Sequence, residues 1–436
     1  MKLLRQNFQI DNNITKHQRN VIRLIVALFF SEIVLAILGG PLPQNSFYKV
    51  YLVFSFGSVL VAFLSVFLMR GGGRLPKNFL WIIVFTVFSL LLGIINGWNI
   101  IDILADAGRF IAPFLAYYVG KNLFSRLSFK EIKVATMLIL QGLFFVFLLS
   151  LAMKFFRLFV MGDPFVKYPD GGVDVPLLLI SFLVVSWFFL PASPRFSRFV
   201  LFLLFVMLLS PLMSASKSSF ITVCFFLIFT PIVYGRFRHS VLALIFILMG
   251  VALVINSDTG MFIIDRFVIA FEVVVNGSAE IGDMSSYARV VEANSALEGL
   301  NSSWFYPLSY LFGNGSGALW YTAIGLDSGL NEENFRLDGG AHHIHIEILS
   351  LLFRHGLIGL SMYLSWMIFV CWRAHKVSRY FVGNDVFFMS ISATVVVVVI
   401  AAFLTMLTDT SIYGHFYVGL IAAAPVVIHK RVSREL

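Results

Sequence analysis

The sequence predicts an all-α polytopic membrane protein, with about twelve transmembrane helices and one large, mostly helical loop between the ninth and tenth. Three observations carry this. The 436 residues are 59% hydrophobic and only 13% charged, well below the usual charge content of a soluble domain. The apolar residues fall in recurring blocks long enough to cross a bilayer and too uniformly apolar for the alternating strands of a membrane barrel. Lysine and arginine gather in every second connection between the blocks, the pattern that sets membrane topology.

In chain order, the blocks run at 21–38, 50–69, 79–95, 101–119, 135–153, 175–190, 199–212, 219–234, 241–255, 346–371, 386–407 and 416–429. The polar, basic residues before Val21 show no cleavable-signal pattern, so Val21–Leu38 is expected to remain as the first span. Roughly two-thirds of the Lys and Arg lie at the N-terminus, at Arg70–Lys77, Lys121–Lys133, Arg195–Arg198, Arg236–Arg238, Arg373–Arg379 and Lys430–Arg434. These segments are expected on the cytoplasmic side, with both termini. The formal charge of +9 is thereby a topology signal and points to no nucleic-acid partner. Cys224 and Cys371 both sit in apolar blocks, which predicts no disulfide framework.

Three regions follow: spans 1–9 in residues 1–255, a large external loop in 256–345, and spans 10–12 in 346–436. The loop carries nearly half of the acidic residues and one segment of helical spacing, Ser285–Leu300. There Tyr287, Val290, Ala293 and Leu297 share one side and Asn294 interrupts it.

Polar residues within or beside apolar blocks mark candidate chemistry, because charge in a bilayer is costly. Asp102, Asp106 and Arg109 share one face of the fourth span. They are either an internal ion pair or a cation at the outer mouth of a cavity. The turn Ser214-Ala215-Ser216-Lys217-Ser218-Ser219 sets one cation among hydroxyl donors, either a phosphate cradle or an ordinary polar hairpin. Arg289 lies in the loop helix, where a lone arginine is ordinarily solvated. Arg354 and His355 stand two to three turns beyond His345. They face either a wet vestibule or the bundle interior, and the sequence does not decide between the two.

His342, His343 and His345 open the tenth span. Imidazole suits Zn²⁺, yet the spacing matches no strong metal signature and no cysteine accompanies it. The other readings are a structural helix start and a general base at the membrane surface. Asp258-Thr259-Gly260 is a single triplet in a loop and carries no protease assignment. The Asn-x-Ser triplets at Asn276, Asn301 and Asn314 matter only in a eukaryotic secretory pathway.

The run from His345-Ile346-Glu347 to Gly356-Leu357-Ile358-Gly359 resembles the late signature of the bacterial O-antigen ligase and O-antigen polymerase superfamily. That signature is a histidine followed, about eleven residues on, by Gly-Leu-x-Gly. Ser214-Ala215-Ser216-Lys217 is similar to the family's short hydroxyl-rich motif, Arg289 to its loop-helix arginine, and Leu311-Phe312-Gly313-Asn314-Gly315 to a step before the histidine. Two departures stand out: Lys217 replaces the usual arginine and Ile346 a frequent asparagine. Lysine keeps the charge but loses the bidentate fork.

The resemblance implies an inverting, metal-independent glycosyltransferase without a cofactor, acting at the periplasmic face of the bacterial inner membrane. Its donor is an undecaprenyl-diphosphate-linked glycan. Its acceptor is a second glycan, for a repeat-unit polymerase, or lipid A–core, for a ligase. The two departures favour the polymerase. Membrane lipids and a chain-length regulator are the further partners it implies. By the same resemblance His345 is the proton acceptor and Arg289 a catalytic cation. Lys217 and Arg289 bind the diphosphate, Arg109 is added to them from its place on the polar face of the fourth span, and His343 and Ser216 are secondary candidates. From another class, a flippase or other secondary transporter also has twelve spans with both ends inside. Such proteins show two similar halves and broken helices, whereas here the spans are unequal and a long loop interrupts the last third.

Overall fold

A computed structural model describes residues 14–39, 77–156, 284–321, 344, 346–382, 384–406 and 414–435, with isolated positions at 57, 60, 63, 64, 228, 232, 241, 244, 245, 247, 248, 340 and 341. These residues are mostly helical. In order they form α1 (Lys16–Gly39), α2 (Lys77–Ile95), α3 (Ile100–Ser125), α4 (Phe129–Phe156), α5 (Met284–Asn301), α6 (Ser309–Phe312), α7 (Glu347–Tyr380), α8 (Val386–Met406) and α9 (Gly414–Glu435). Two short strands, β1 (Trp320–Tyr321) and β2 (Gly340–Ala341), pair antiparallel, with Trp320 opposite Ala341. Among the described residues, three helical stretches are long and apolar enough to cross a membrane: Asn78–Ile95, Glu347–Tyr380 and Val386–Leu404. The expected spans at 175–190 and 199–212 lie outside the described residues, as do most of those at 50–69, 219–234 and 241–255.

Most of these helices outrun their apolar blocks, because polar caps rather than hydropathy set their starts. The amide of Gln18 donates to Thr15 Oγ1 at 3.3 Å and that of Thr15 to Gln18 Oε1 at 2.9 Å, a capping box that opens α1. Ser128 and Glu131 repeat the device at α4, where the Ser128 amide donates to Glu131 Oε2 at 2.6 Å. Asn99 Oδ1 accepts from the Ile101 amide at 2.9 Å at the head of α3, and Asp385 Oδ1 accepts from the Phe387 amide at 2.9 Å at the head of α8.

α3 is the central element. It packs along α9 so closely that a Cβ on Gly120 would lie 2.6 Å from Leu420 O, and one on Gly419 2.3 Å from Pro113 O. Small residues at a membrane helix interface permit this approach. α2 flanks α3 on another side, and α7 packs on α8 and α9. Phe110, Phe114, Tyr118, Tyr363, Met367 and Val370 are buried in the main core between them, with the Phe114 ring edge-on to Tyr363 and Trp366.

A second, smaller core lies where α5 meets α7, built from Ala296, Leu300, Ala318, Trp320, Ile344 and Phe353. It changes the expected face of the loop helix. Val291, Ser295, Ala296 and Leu300 are buried, while Leu297 and Asn294 are exposed. Side-chain size explains the difference: a Cβ on Gly299 would stand 2.9 Å from the Phe353 ring, so α5 approaches α7 through its small residues. Apolar periodicity does not report such a face.

Candidate functional site

The site is assembled by a glycine-rich strap, Gly313-Asn314-Gly315-Ser316-Gly317, that follows α6 and runs into a break in α7. Gly356 interrupts α7 with φ 63° and ψ −171°, a conformation open to glycine and costly for any L side chain. In an unbroken helix the carbonyls of Phe353 and Arg354 would accept from amides four residues on. Instead Phe353 O accepts from the Asn314 amide at 2.8 Å and Arg354 O from the Gly315 amide at 3.1 Å. The strap is also bonded to α2, because the Ser316 amide donates to Ser89 O at 3.1 Å. Asn314 O accepts from Asn96 Nδ2 at 2.8 Å and from Trp98 Nε1 at 3.1 Å. Finally the Gly317 amide donates to Asp106 Oδ2, on α3, at 2.8 Å.

Asp106 therefore sits at the junction of strap, α3 and α7. Its Oδ2 also lies 2.8 Å from Arg354 Nε, and its Oδ1 3.4 Å from Arg109 Nη1. Arg354 Nη1 in turn donates to Ser350 Oγ, one turn earlier on α7. Asp106 and Arg354 are 2% and 4% exposed, so this ion pair is screened from water and its Coulomb attraction is strong. Next to it, Ser89 Oγ lies 2.9 Å from His355 Nδ1 and 3.1 Å from Ser316 Oγ. The His355 ring packs 4.5 Å from the Phe110 ring. Two hydroxyls and an imidazole thus form a buried hydrogen-bonded chain from the strap through α2 to α7.

Above this network is a cavity of about 40 Å³, room for roughly three waters. Asp106, Arg109, Glu347, Ser350, Arg354 and His355 supply its polar lining, and Phe110, Ile344, Leu351 and Tyr363 its apolar walls. Two guanidinium groups and two carboxylates face one small volume, an arrangement suited to a polar, hydroxyl- or oxyanion-bearing group.

Of the residues singled out from sequence, Arg109 lies at this cavity, where it pairs with Asp106 and forms part of the lining. Arg354 and His355 face the bundle interior, which answers a question the sequence left open. Arg289 lies within α5, whose backbone is helical as expected; its side chain is outside the described residues. Ser216, Lys217, His343 and His345 also lie outside the described residues. The chain on both sides of His345 is described, however: Ile344 and Glu347 both line the cavity. Glu347, Ser350 and Ser89 were not singled out. Glu347 had a legible signal, a carboxylate two residues after His345 at the head of an apolar block. Ser89 had none, since a serine in an apolar span is unremarkable until its neighbours are known.

Ser89→Ala is expected to cost about 1–2 kcal/mol, because His355 and Ser316 lose their shared buried partner. A thermal melt of detergent-solubilised protein reads this as a lowered midpoint. Ser390→Ala is the comparison, since that buried hydroxyl makes no hydrogen bond among the described residues and its loss is expected to be nearly neutral.

No protein-family model matches the chain, and no curated protein matches it in sequence.

Proposed function

We propose that this protein is an inverting membrane glycosyltransferase of the O-antigen polymerase type, which moves a glycan from undecaprenyl diphosphate to a sugar hydroxyl at the periplasmic face of the inner membrane. The observation that carries the proposal is the coincidence of two independent features. The histidine singled out by the Gly-Leu-x-Gly spacing, His345, is bracketed in the chain by Ile344 and Glu347, and these line the same cavity as Arg109.

In the reaction, the bond between the anomeric carbon and the diphosphate oxygen breaks as the acceptor oxygen bonds to that carbon from the opposite face. The acceptor's proton passes to His345, acting as general base. Undecaprenyl diphosphate departs with the electron pair and one more negative charge. Cations held against that charge lower the barrier, and positioned groups of this kind are worth about 10²–10³ in rate each. Arg109 and Arg354 at the cavity are offset by Asp106 and Glu347. We assign the excess positive charge that a diphosphate needs to Lys217 and Arg289, with Arg109 beside the reacting group as a hydrogen-bond donor. The proposal involves neither metal nor cofactor.

A lipid A–core acceptor, as in a ligase, uses the same chemistry. A transporter uses the break in its helix to expose carbonyls to its cargo. Here the carbonyls of Phe353 and Arg354, released at Gly356, accept from the strap, which favours transferase over transporter.

The test is complementation of a glycan-assembly mutant with Arg109→Ala, Arg289→Ala and His345→Ala, each verified for stable insertion. Each is expected to lower polymer formation by about a hundredfold or more. Full glycan assembly by both Arg289→Ala and His345→Ala would overturn the proposal. On deletion, loss of the chain-length ladder with single units retained identifies the polymerase, and accumulation of lipid-linked polymer the ligase.

A further inference from the structure

From Gly299 to Leu326 the loop sequence contains no charged residue, although it belongs to the segment richest in acidic side chains. Within it, the turn between α5 and α6 presents Trp304, Tyr306 and Leu308 to the outside, 73%, 57% and 50% exposed, and Leu311 follows on α6. Large apolar side chains this exposed and this close together are unfavourable against water and mark an interaction surface.

Its neighbour indicates what it meets. α2 carries an outward apolar stripe of Leu80, Val84, Val87, Leu91 and Ile94, at helical spacing, on a stretch long and apolar enough to cross a membrane. That run ends at Ile95, and Asn96 is the first polar residue beyond it. Trp304 Nε1 donates to Asn96 Oδ1 at 2.8 Å, and the Phe312 ring lies 5.2 Å from Phe88, itself exposed on α2. The exposed turn is thus attached at the level where the apolar stripe stops and continues the same surface sideways. Trp304 has its N–H bonded toward the protein and its ring uncovered, the division that places tryptophan and tyrosine at bilayer interfaces.

We propose that Ser303–Leu311 is an interfacial membrane element, resting in the boundary between headgroups and acyl chains of the bilayer that α2 spans. Trp304 and Tyr306 lie at the headgroup level, and Leu308 and Leu311 reach the acyl chains. Because α6 leads directly into the Gly313–Gly317 strap, this contact holds the strap, and the cavity it assembles, at the membrane surface. The inference rests on the membrane-spanning character of α2 and is independent of glycosyl transfer.

The test is nitroxide scanning of the full chain in phosphatidylcholine–phosphatidylglycerol vesicles, on a Cys224→Ser, Cys371→Ser background. Labels are placed by Trp304→Cys and Leu308→Cys, with Leu91→Cys on the α2 stripe and Asn294→Cys on the exposed face of α5 as references. Collision with oxygen, which concentrates in lipid, is compared with collision with a water-soluble nickel chelate. The labels at 304 and 308 are expected to shift toward oxygen, like 91 and unlike 294. A profile at both positions like that of 294 would overturn the proposal. So would low access to both reagents at both positions, which means protein and not lipid covers the turn. Leu308, which makes no polar side-chain contact, keeps the test decisive if Trp304→Cys inserts poorly.

Discussion

Gly356→Ala is expected to undock the strap from α7 and to destabilise the protein by about 3 kcal/mol or more. Two costs add. A non-glycine residue at φ 63° and ψ −171° bears backbone strain of about 1–3 kcal/mol. The new Cβ would also lie 2.3 Å from Leu311 O, 2.4 Å from Leu311 C and 2.5 Å from Gly313 N. All three are backbone atoms that no rotamer change moves aside, so the segment itself must shift, at about 1–3 kcal/mol. A fall in the thermal midpoint checks the magnitude. Hydrogen exchange checks the location, since the amides of Asn314 and Gly315 are bonded to the carbonyls beside the break and are expected to lose protection. Gly57→Ala is the control: nothing among the described residues lies within 4 Å of its added Cβ, and a change within about 0.5 kcal/mol is expected. A Gly356→Ala protein that melts and exchanges like the parent would show that the strap does not need the break.

Asp106→Asn is expected to cost about 3 kcal/mol, because it leaves Arg354 charged and 4% exposed without the carboxylate 2.8 Å from its Nε. Asparagine keeps the size of the side chain and an oxygen for the Gly317 amide, so the loss reads the missing charge. Arg354→Met reverses the asymmetry: Asp106 loses the guanidinium 2.8 Å from its Oδ2 and keeps the Gly317 amide and the more distant Arg109, at 3.4 Å. The double variant Asp106→Asn, Arg354→Met is expected to recover much of the loss, since a matched neutral pair replaces an unmatched buried charge. Thermal midpoints of the four proteins give the coupling. Simple additivity of the two single effects would mean that the pair is incidental and that other contacts hold the junction.

The two substitutions address different layers of one arrangement. The glycines let backbone approach backbone where α7, the strap and α2 meet; a Cβ on Gly315 would lie 2.5 Å from Gly93 N, and one on Gly93 2.2 Å from Ser316 O. Asp106 then ties the end of the strap to two arginines on different helices. The cavity at Arg109 draws its polar lining from α3 and α7, which the strap and the carboxylate tie together beside the ring contact of Phe110 with His355.

Residues such as Lys77–Ile95 and Val386–Met406 were legible as helices because a bilayer-length apolar run has few other solutions: every backbone polar group must be bonded within the segment. The glycines of the Leu-Phe-Gly-Asn-Gly step and of Gly-Leu-Ile-Gly were visible as well, but as separate motifs. That Leu311 and Gly313 lie against Gly356 is a contact between residues far apart in the chain, and nothing in either motif alone encodes it. The charges of α3 were legible as a shared face, since spacing along one helix is a local property. Their partner Arg354 was not, because the direction in which it points depends on a break in α7 whose geometry is stabilised by amides of the strap. The sequence by itself determined that the chain is mostly helical with apolar stretches of membrane length, among them Asn78–Ile95, Glu347–Tyr380 and Val386–Leu404, and which polar residues lie beside such stretches. The tertiary structure alone decided that Asp106, Arg109, Ser89, Arg354 and His355 share one buried junction, because a buried charge is stable only where a distant segment supplies its partner.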